Sequence, residues 1–148
     1  MLHSYLFYPV ILQILSSGKK QNETVFSGEE ELPYITILLA VYNEEKVIEE
    51  KIETTLASKY PAERIEFLIG SDHSNDHTEQ IIQHAALQFP QIRLVRFEER
   101  SGKIHIINQL AKQAGGTILI LTDANVFFTK DTLFELVKHY KEPSISLV

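Results

Sequence analysis

The sequence predicts an α/β fold, a Rossmann-like, doubly wound and mostly parallel sheet. Three observations carry that reading. Short apolar runs alternate with segments of helical periodicity four times in succession after Pro33. The first run, ITILLAV, is apolar but for Thr36, as in a strand covered on both faces. Right-handed strand–helix–strand crossovers then place helices on both sides of one sheet.

Each element has its own signal. Ile35 to Val41 (ITILLAV) reads as the first strand, and Glu45 to Ser58 as a helix with Ile48, Ile52 and Leu56 on one stripe. Tyr60-Pro61 ends that helix, because the residue before a proline disfavours helical geometry. Ile65 to Gly70 is the second strand. Asp76 and Glu79 fit a capping box for a helix with Ile81, Ile82, Ala85, Ala86 and Phe89 inward. Ile92 to Phe97 is the third strand. The helix from Lys103 turns Ile104, Ile107, Leu110, Ala111 and Ala114 inward, and Gly115-Gly116 suits a left-handed cap. Thr117 to Leu121 is the fourth strand, buried along its length. Asp131 to Tyr140 forms the last helix, with Leu133, Leu136, Val137 and Tyr140 together. Ser144 to Val148 (SISLV) reads as a further strand with no element closing it, so the chain is expected to be part of a longer protein.

Composition narrows the function. The 148 residues make one domain, with 44% hydrophobic and 23% charged residues. A net charge of −6 argues against a broad nucleic-acid-binding face, so nucleic acid is not an expected partner. With no cysteine, disulfides, thiol nucleophiles and thiolate zinc sites are excluded. Residues 1–17 are read as an apolar N-terminal helix, 18–33 as a polar linker, and 34–148 as the folded unit. Leu2 to Leu15 is too short for a bilayer, which takes about 20 helical residues. It fits either a core helix or the remnant of a membrane anchor with Lys19 and Lys20 on the cytoplasmic side.

Ligands of open parallel sheets bind beyond the carboxyl ends of the strands. Those ends here read Tyr42-Asn43-Glu44-Glu45, Ser71-Asp72-His73-Ser74-Asn75-Asp76, Glu98-Glu99-Arg100-Ser101-Gly102-Lys103 and Thr122-Asp123-Ala124-Asn125. Asp76 suits a helix cap, and His73 a turn position with positive φ. Glu44 and Glu45 favour a helix N-terminus electrostatically. Lys103 is a cation near a helix start, where a bound anion would justify it. Asp123, at the tip of a strand expected to be buried, needs a partner. A Mg²⁺ or Mn²⁺ ion would provide one, with Asn125 adding an amide oxygen and substrate phosphates the rest. The pattern suggests a diphosphate held by metal and lysine, with a planar base near Tyr42 and Asp72. Neither G-x-G-x-x-G nor a P-loop is present.

These motifs, in this order from about Leu32 to Tyr140, resemble family 2 glycosyltransferases. The resemblance implies a GT-A fold whose nucleotide-sugar-binding half precedes an acceptor-binding half. It assigns Tyr42, Asn43, Glu44, Asp72, Lys103 and Asp123 to the donor, a UDP-sugar being favoured, and Asp123 and Asn125 to the D-x-D metal position. It also implies inverting transfer to a glycan or lipid acceptor, with a general base located beyond Val148. This chain by itself is therefore expected to be inactive. The segment 1–17 is similar to the anchor of membrane-associated members, which implies a full-length protein at the cytoplasmic face of the cell membrane. Two departures stand out: Asn125 replaces an acid in D-x-D, and His73 replaces the usual glycine. The competing readings are a receiver-like, Mg²⁺-binding signalling module and a nucleotidyltransferase. The former lacks a lysine in Ser144 to Val148, and the latter a Gly-rich loop after the first strand.

Overall fold

The computed structural model describes residue 7 and residues 9–14, 23–27 and 31–147. Residues 9–14 form helix α1, exposed along its length. The sheet follows: β1 (Ile35–Val41), α2 (Ile48–Leu56), β2 (Ile65–Ser71), α3 (Thr78–Gln88), β3 (Ile92–Arg96), α4 (Lys103–Ala111), β4 (Ile118–Thr122) and α5 (Thr132–Val137). Short 3-10 turns at Ala62–Arg64 and Lys138–Lys141 complete the list among the described residues. The strand order is β3-β2-β1-β4, and every pairing is parallel. Thus the α/β, Rossmann-like fold read from the sequence is the fold observed.

Strand periodicity divides the core into two layers. Ile35, Ile37, Leu39 and Val41 of β1 join Phe67 and Ile69 of β2 beneath α2, α3 and α5. Leu38 and Leu68 point the other way, against Ile106, Ile107 and Leu110 of α4. Gly70 is what lets α4 approach: a Cβ there would stand 2.3 Å from Ile106 Cγ2.

Several local expectations are corrected. Strand β4 is not buried along its length. Ile118 and Ile120 enter the core, but Leu119 and Leu121 are 40% and 63% exposed, because α4 lies over β1 and β2 and does not reach this edge. Ile104 is likewise 81% exposed, and Ile106 takes the inward position expected of it. Gly115 and Gly116 form no left-handed cap; the only glycine with positive φ among the described residues is Gly102. Gly116 instead serves close approach, since a Cβ would meet the Thr36 nitrogen at 2.4 Å. The Asp76–Glu79 capping box is also absent, Glu79 pairing with Arg96 at 2.7 Å. Residues 144–147 form no strand; Ser144 and Ile145 fold back on Glu142.

The expected linker is partly tied down: the Phe26 N–H donates to the Lys138 carbonyl at 2.9 Å, and Leu32 belongs to the core. Residues 1–6, 8, 15–22, 28–30 and 148, Lys19 and Lys20 among them, lie outside the described residues. Among the described residues no helix is long and apolar enough to cross a membrane.

Candidate functional site

The carboxyl ends of β1, β2 and β4 and the N-terminus of α4 enclose an open cleft of about 410 Å³. Tyr42, Glu44, Asp72, Arg100, Lys103, Asp123 and Asn125 all line it. The size suits a small-molecule site. Every residue assigned to donor or metal from the sequence is there except Asn43. That residue turns aside with φ 54°, donates from Nδ2 to Asn75 Oδ1 at 2.8 Å and accepts from the Asn75 N–H at 2.9 Å. Asn43 therefore locks the first strand tip to the second. His73 adopts φ 59°, the turn geometry its position suggested.

Asp72 is the structural centre of one wall. Its carboxylate is almost fully buried and accepts from the backbone N–H groups of Ser101 at 2.6 Å and Gly102 at 3.0 Å. Arg100 Nε adds a third contact at 3.3 Å. Burial pushes this carboxyl up, but the two backbone donors and the Arg100 charge more than offset it, so its pKa lies below the ordinary value. Gly102, with a φ of 82°, then turns the chain from this loop into α4.

Arg100 is a site residue that the sequence did not single out. Its guanidinium lies 3.4 Å above the Tyr42 ring while pairing with Asp72. A flat, cationic group already stacks where the sequence suggested a planar base.

The neighbouring loop is braced by Asp76 and Glu45. Asp76 accepts from the Thr78 N–H at 2.9 Å and the Glu45 N–H at 3.2 Å, and its pKa is lowered: burial opposes, while Thr78 and the Glu45 amide prevail. Glu45 does not serve its own helix. Its carboxylate binds His77 at the start of α3, first through the backbone N–H and then the ring, and this holds its pKa low.

On the opposite wall Asp123 differs from expectation. Its side chain is 52% exposed rather than buried, because it caps the free edge of the sheet. Its Oδ1 forms an ion pair with Lys103 Nζ. Asn125 is exposed on the same cleft. Among the described residues no three His, Cys, Asp or Glu side chains gather as a ready-made metal cage. One carboxylate and one amide oxygen, both hard donors opening on a cleft, nevertheless fit a Mg²⁺ or Mn²⁺ ion that takes its remaining ligands from substrate phosphates and water.

A second residue missed by the sequence lies beneath this loop. Lys51 of α2 is completely buried, and its ammonium donates to Thr122 Oγ1 at 2.9 Å and the Val126 carbonyl at 2.5 Å. It also sits 3.6 Å from the centre of the Phe128 ring. Burial lowers its pKa to about 8, with the Asp123 charge acting against that shift. Helical periodicity placed Lys51 beside the apolar stripe, and no sequence signal marked it as buried.

A separate groove of about 400 Å³ runs between α2 and α3. It lies on the helical face of the sheet and does not gather the strand-tip residues.

An all-parallel sheet covered by helices on both faces, with a polar cleft beyond its strand ends, defines an α/β protein of the GT-A type. The sequence model of Glycosyl transferase family 2 matches residues 36–148, and the chain belongs to that family. The chain is 31% identical over 160 residues to poly-beta-1,6-N-acetyl-D-glucosamine synthase of Staphylococcus aureus, covering 97% of this chain and 37% of that protein. A mannosyltransferase of Pyrobaculum calidifontis, solved in complex with GDP-Man and Mn²⁺, superposes with a TM-score of 0.81 at 28% identity, over 97% of this chain and 43% of that one. TarS of S. aureus, in complex with UDP-GlcNAc, matches 68% of this chain and 29% of its own with a TM-score of 0.65 at 25% identity. The chain thus spans less than half the length of each of these relatives. Family membership leaves the receiver and nucleotidyltransferase readings without support.

Proposed function

We propose that this chain is the donor-binding half of an inverting glycosyltransferase, holding a nucleotide-diphosphate sugar together with a divalent metal. The observation that carries this is the convergence of Tyr42, Asp72, Lys103, Asp123 and Asn125 on one cleft. The Tyr42 face takes the base by stacking, at the position where Arg100 now lies. Asp72 holds the Ser101-Gly102 turn rigid and offers its carboxylate edge to the nucleoside, with Glu44 beside it. Lys103 leaves Asp123 and donates to phosphate oxygens, which frees Asp123, with Asn125, for the metal. Bound there, the metal would neutralise the charge that develops on the departing diphosphate.

In the complete enzyme the acceptor hydroxyl attacks the anomeric carbon from the face opposite the diphosphate. The carbon–oxygen bond to the diphosphate breaks, and a general base located beyond Val148 takes the hydroxyl proton. A UDP-sugar is the favoured donor, and the acceptor is a glycan or lipid. The apolar N-terminal segment supports attachment of the full-length protein to the cytoplasmic face of the membrane. Relatives solved with GDP-Man and with UDP-GlcNAc support a nucleotide-sugar ligand of this class.

Calorimetric titration of the 148-residue chain with UDP, GDP and ADP, each with and without Mn²⁺, tests the reading. One nucleotide is expected to bind in a metal-dependent way, and Asp123→Ala to weaken that binding at least about 10-fold. No heat from any nucleotide with a folded sample would overturn donor binding by this chain.

A further inference from the structure

Asp123 and Asn125 lie on a short turn beyond the free edge of the sheet, where neighbouring strands cannot hold them. The turn has its own hydrogen bond, from the Val126 N–H to the Asp123 carbonyl at 3.2 Å. Ala124 buries its methyl in the core and Lys103 pairs with Asp123, while the backbone of the turn is anchored by Lys51, reaching up from α2. Lys51 Nζ donates to Thr122 Oγ1, which in turn donates to the Asp123 carbonyl at 3.4 Å. The same ammonium donates directly to the Val126 carbonyl. One fully buried cation therefore grips the turn immediately before Asp123 and immediately after Asn125, while the Phe128 ring covers it.

Burying a lysine is costly unless its donors are satisfied. An apolar side chain of similar length would fill the same space without that cost, so packing alone does not account for a lysine here.

We propose that Lys51 is a positioning residue for the D-x-D turn, holding the Asp123 and Asn125 side chains in the arrangement that takes up metal with the nucleotide diphosphate. The inference rests on the donor-site reading for what the turn binds, but the clamp itself is a property of this chain. Lys51 does not touch the ligand; it acts through Thr122 and Val126.

The test is Lys51→Met in the 148-residue chain, since methionine preserves the apolar stem and removes the donors. Hydrogen exchange resolved by peptide should speed up in the segment 122–128 and stay unchanged in β1, β2 and α4. The midpoint of thermal unfolding should hold or rise. Nucleotide affinity with Mn²⁺ should fall about 10- to 100-fold, the usual effect of removing a residue that orients metal ligands, while metal-free nucleotide affinity stays the same. Unchanged exchange in 122–128, or faster exchange across the whole sheet with a lowered midpoint, would overturn the proposal. Equal loss of affinity with and without metal would also overturn it. If the unmodified chain binds no nucleotide with Mn²⁺, the donor-site reading fails instead, and exchange in 122–128 still decides whether Lys51 holds the turn.

Discussion

A single carboxylate, Asp72, sets the geometry of one wall of the cleft. Two backbone amides and one guanidinium converge on it, and all three come from the loop between β3 and α4. Hydrogen bonds to an ionised, buried group are worth about 1.5–3 kcal/mol each in favourable cases, so Asp72→Asn should destabilise the fold by roughly 1–3 kcal/mol at neutral pH. The sign of its pH dependence follows from its lowered folded pKa. The unfolded carboxyl titrates near about 3.9, so the folded one does so below that. Its contribution is fully present above about pH 4 and is lost as pH falls through the folded value. Urea unfolding at a series of pH values should therefore show the two proteins far apart at pH 7 and converging at acid pH. A gap that stays constant down to pH 3 would show that Asp72 ionisation does not brace the loop.

At the scale of elements, α4 determines how Gly102 and Lys103 meet the sheet. The helix starts at Lys103 directly after the positive-φ glycine and presses Ile106 and Leu110 onto β2. Gly70 is the contact point. An added methyl there would meet Ile106 Cγ2 at 2.3 Å and Leu110 Cδ1 at 3.2 Å, both on fully buried side chains. Gly70→Ala should then cost about 1–3 kcal/mol by overpacking. It should also lift the N-terminus of α4 away from Asp72. Chemical denaturation measures the first effect, and loss of the Arg100–Tyr42 stack, read from tyrosine fluorescence, reports the second. A variant as stable as the parent would mean that α4 can slide without penalty.

At the scale of the molecule, the edge strand β4 leaves apolar surface unprotected. Leu119 and Leu121 stand exposed beside a shallow cavity that Leu136, Tyr140 and Leu147 also line. An apolar edge strand with unpaired backbone groups is a template for another chain. The 148-residue chain should thus self-associate as its concentration rises, and Leu121→Lys should shift it toward monomer. Sedimentation velocity over a wide concentration range decides this, and a single monomeric boundary throughout would dismiss it.

By itself the sequence determined the order of elements, the parallel sheet and the place of the candidate site. Those rest on local signals: apolar runs of strand length, helical stripes, and polar residues clustered where strands end. Tyr42, Asp72, Lys103, Asp123 and Asn125 were legible because strand order brings all such ends to one edge of the sheet. What only the tertiary structure decided is how those residues are held. Lys51 finds its partners 71 and 75 residues away, and Arg100 meets Asp72 across 28. Asn43 turned from the cleft because Asn75, 32 residues on, satisfies its amide. The exposure of β4 also depended on how far α4 reaches across the sheet, and that of Asp123 on its place at the free edge. Periodicity records which face of an element is apolar, whereas a side chain's partner depends on which elements pack together.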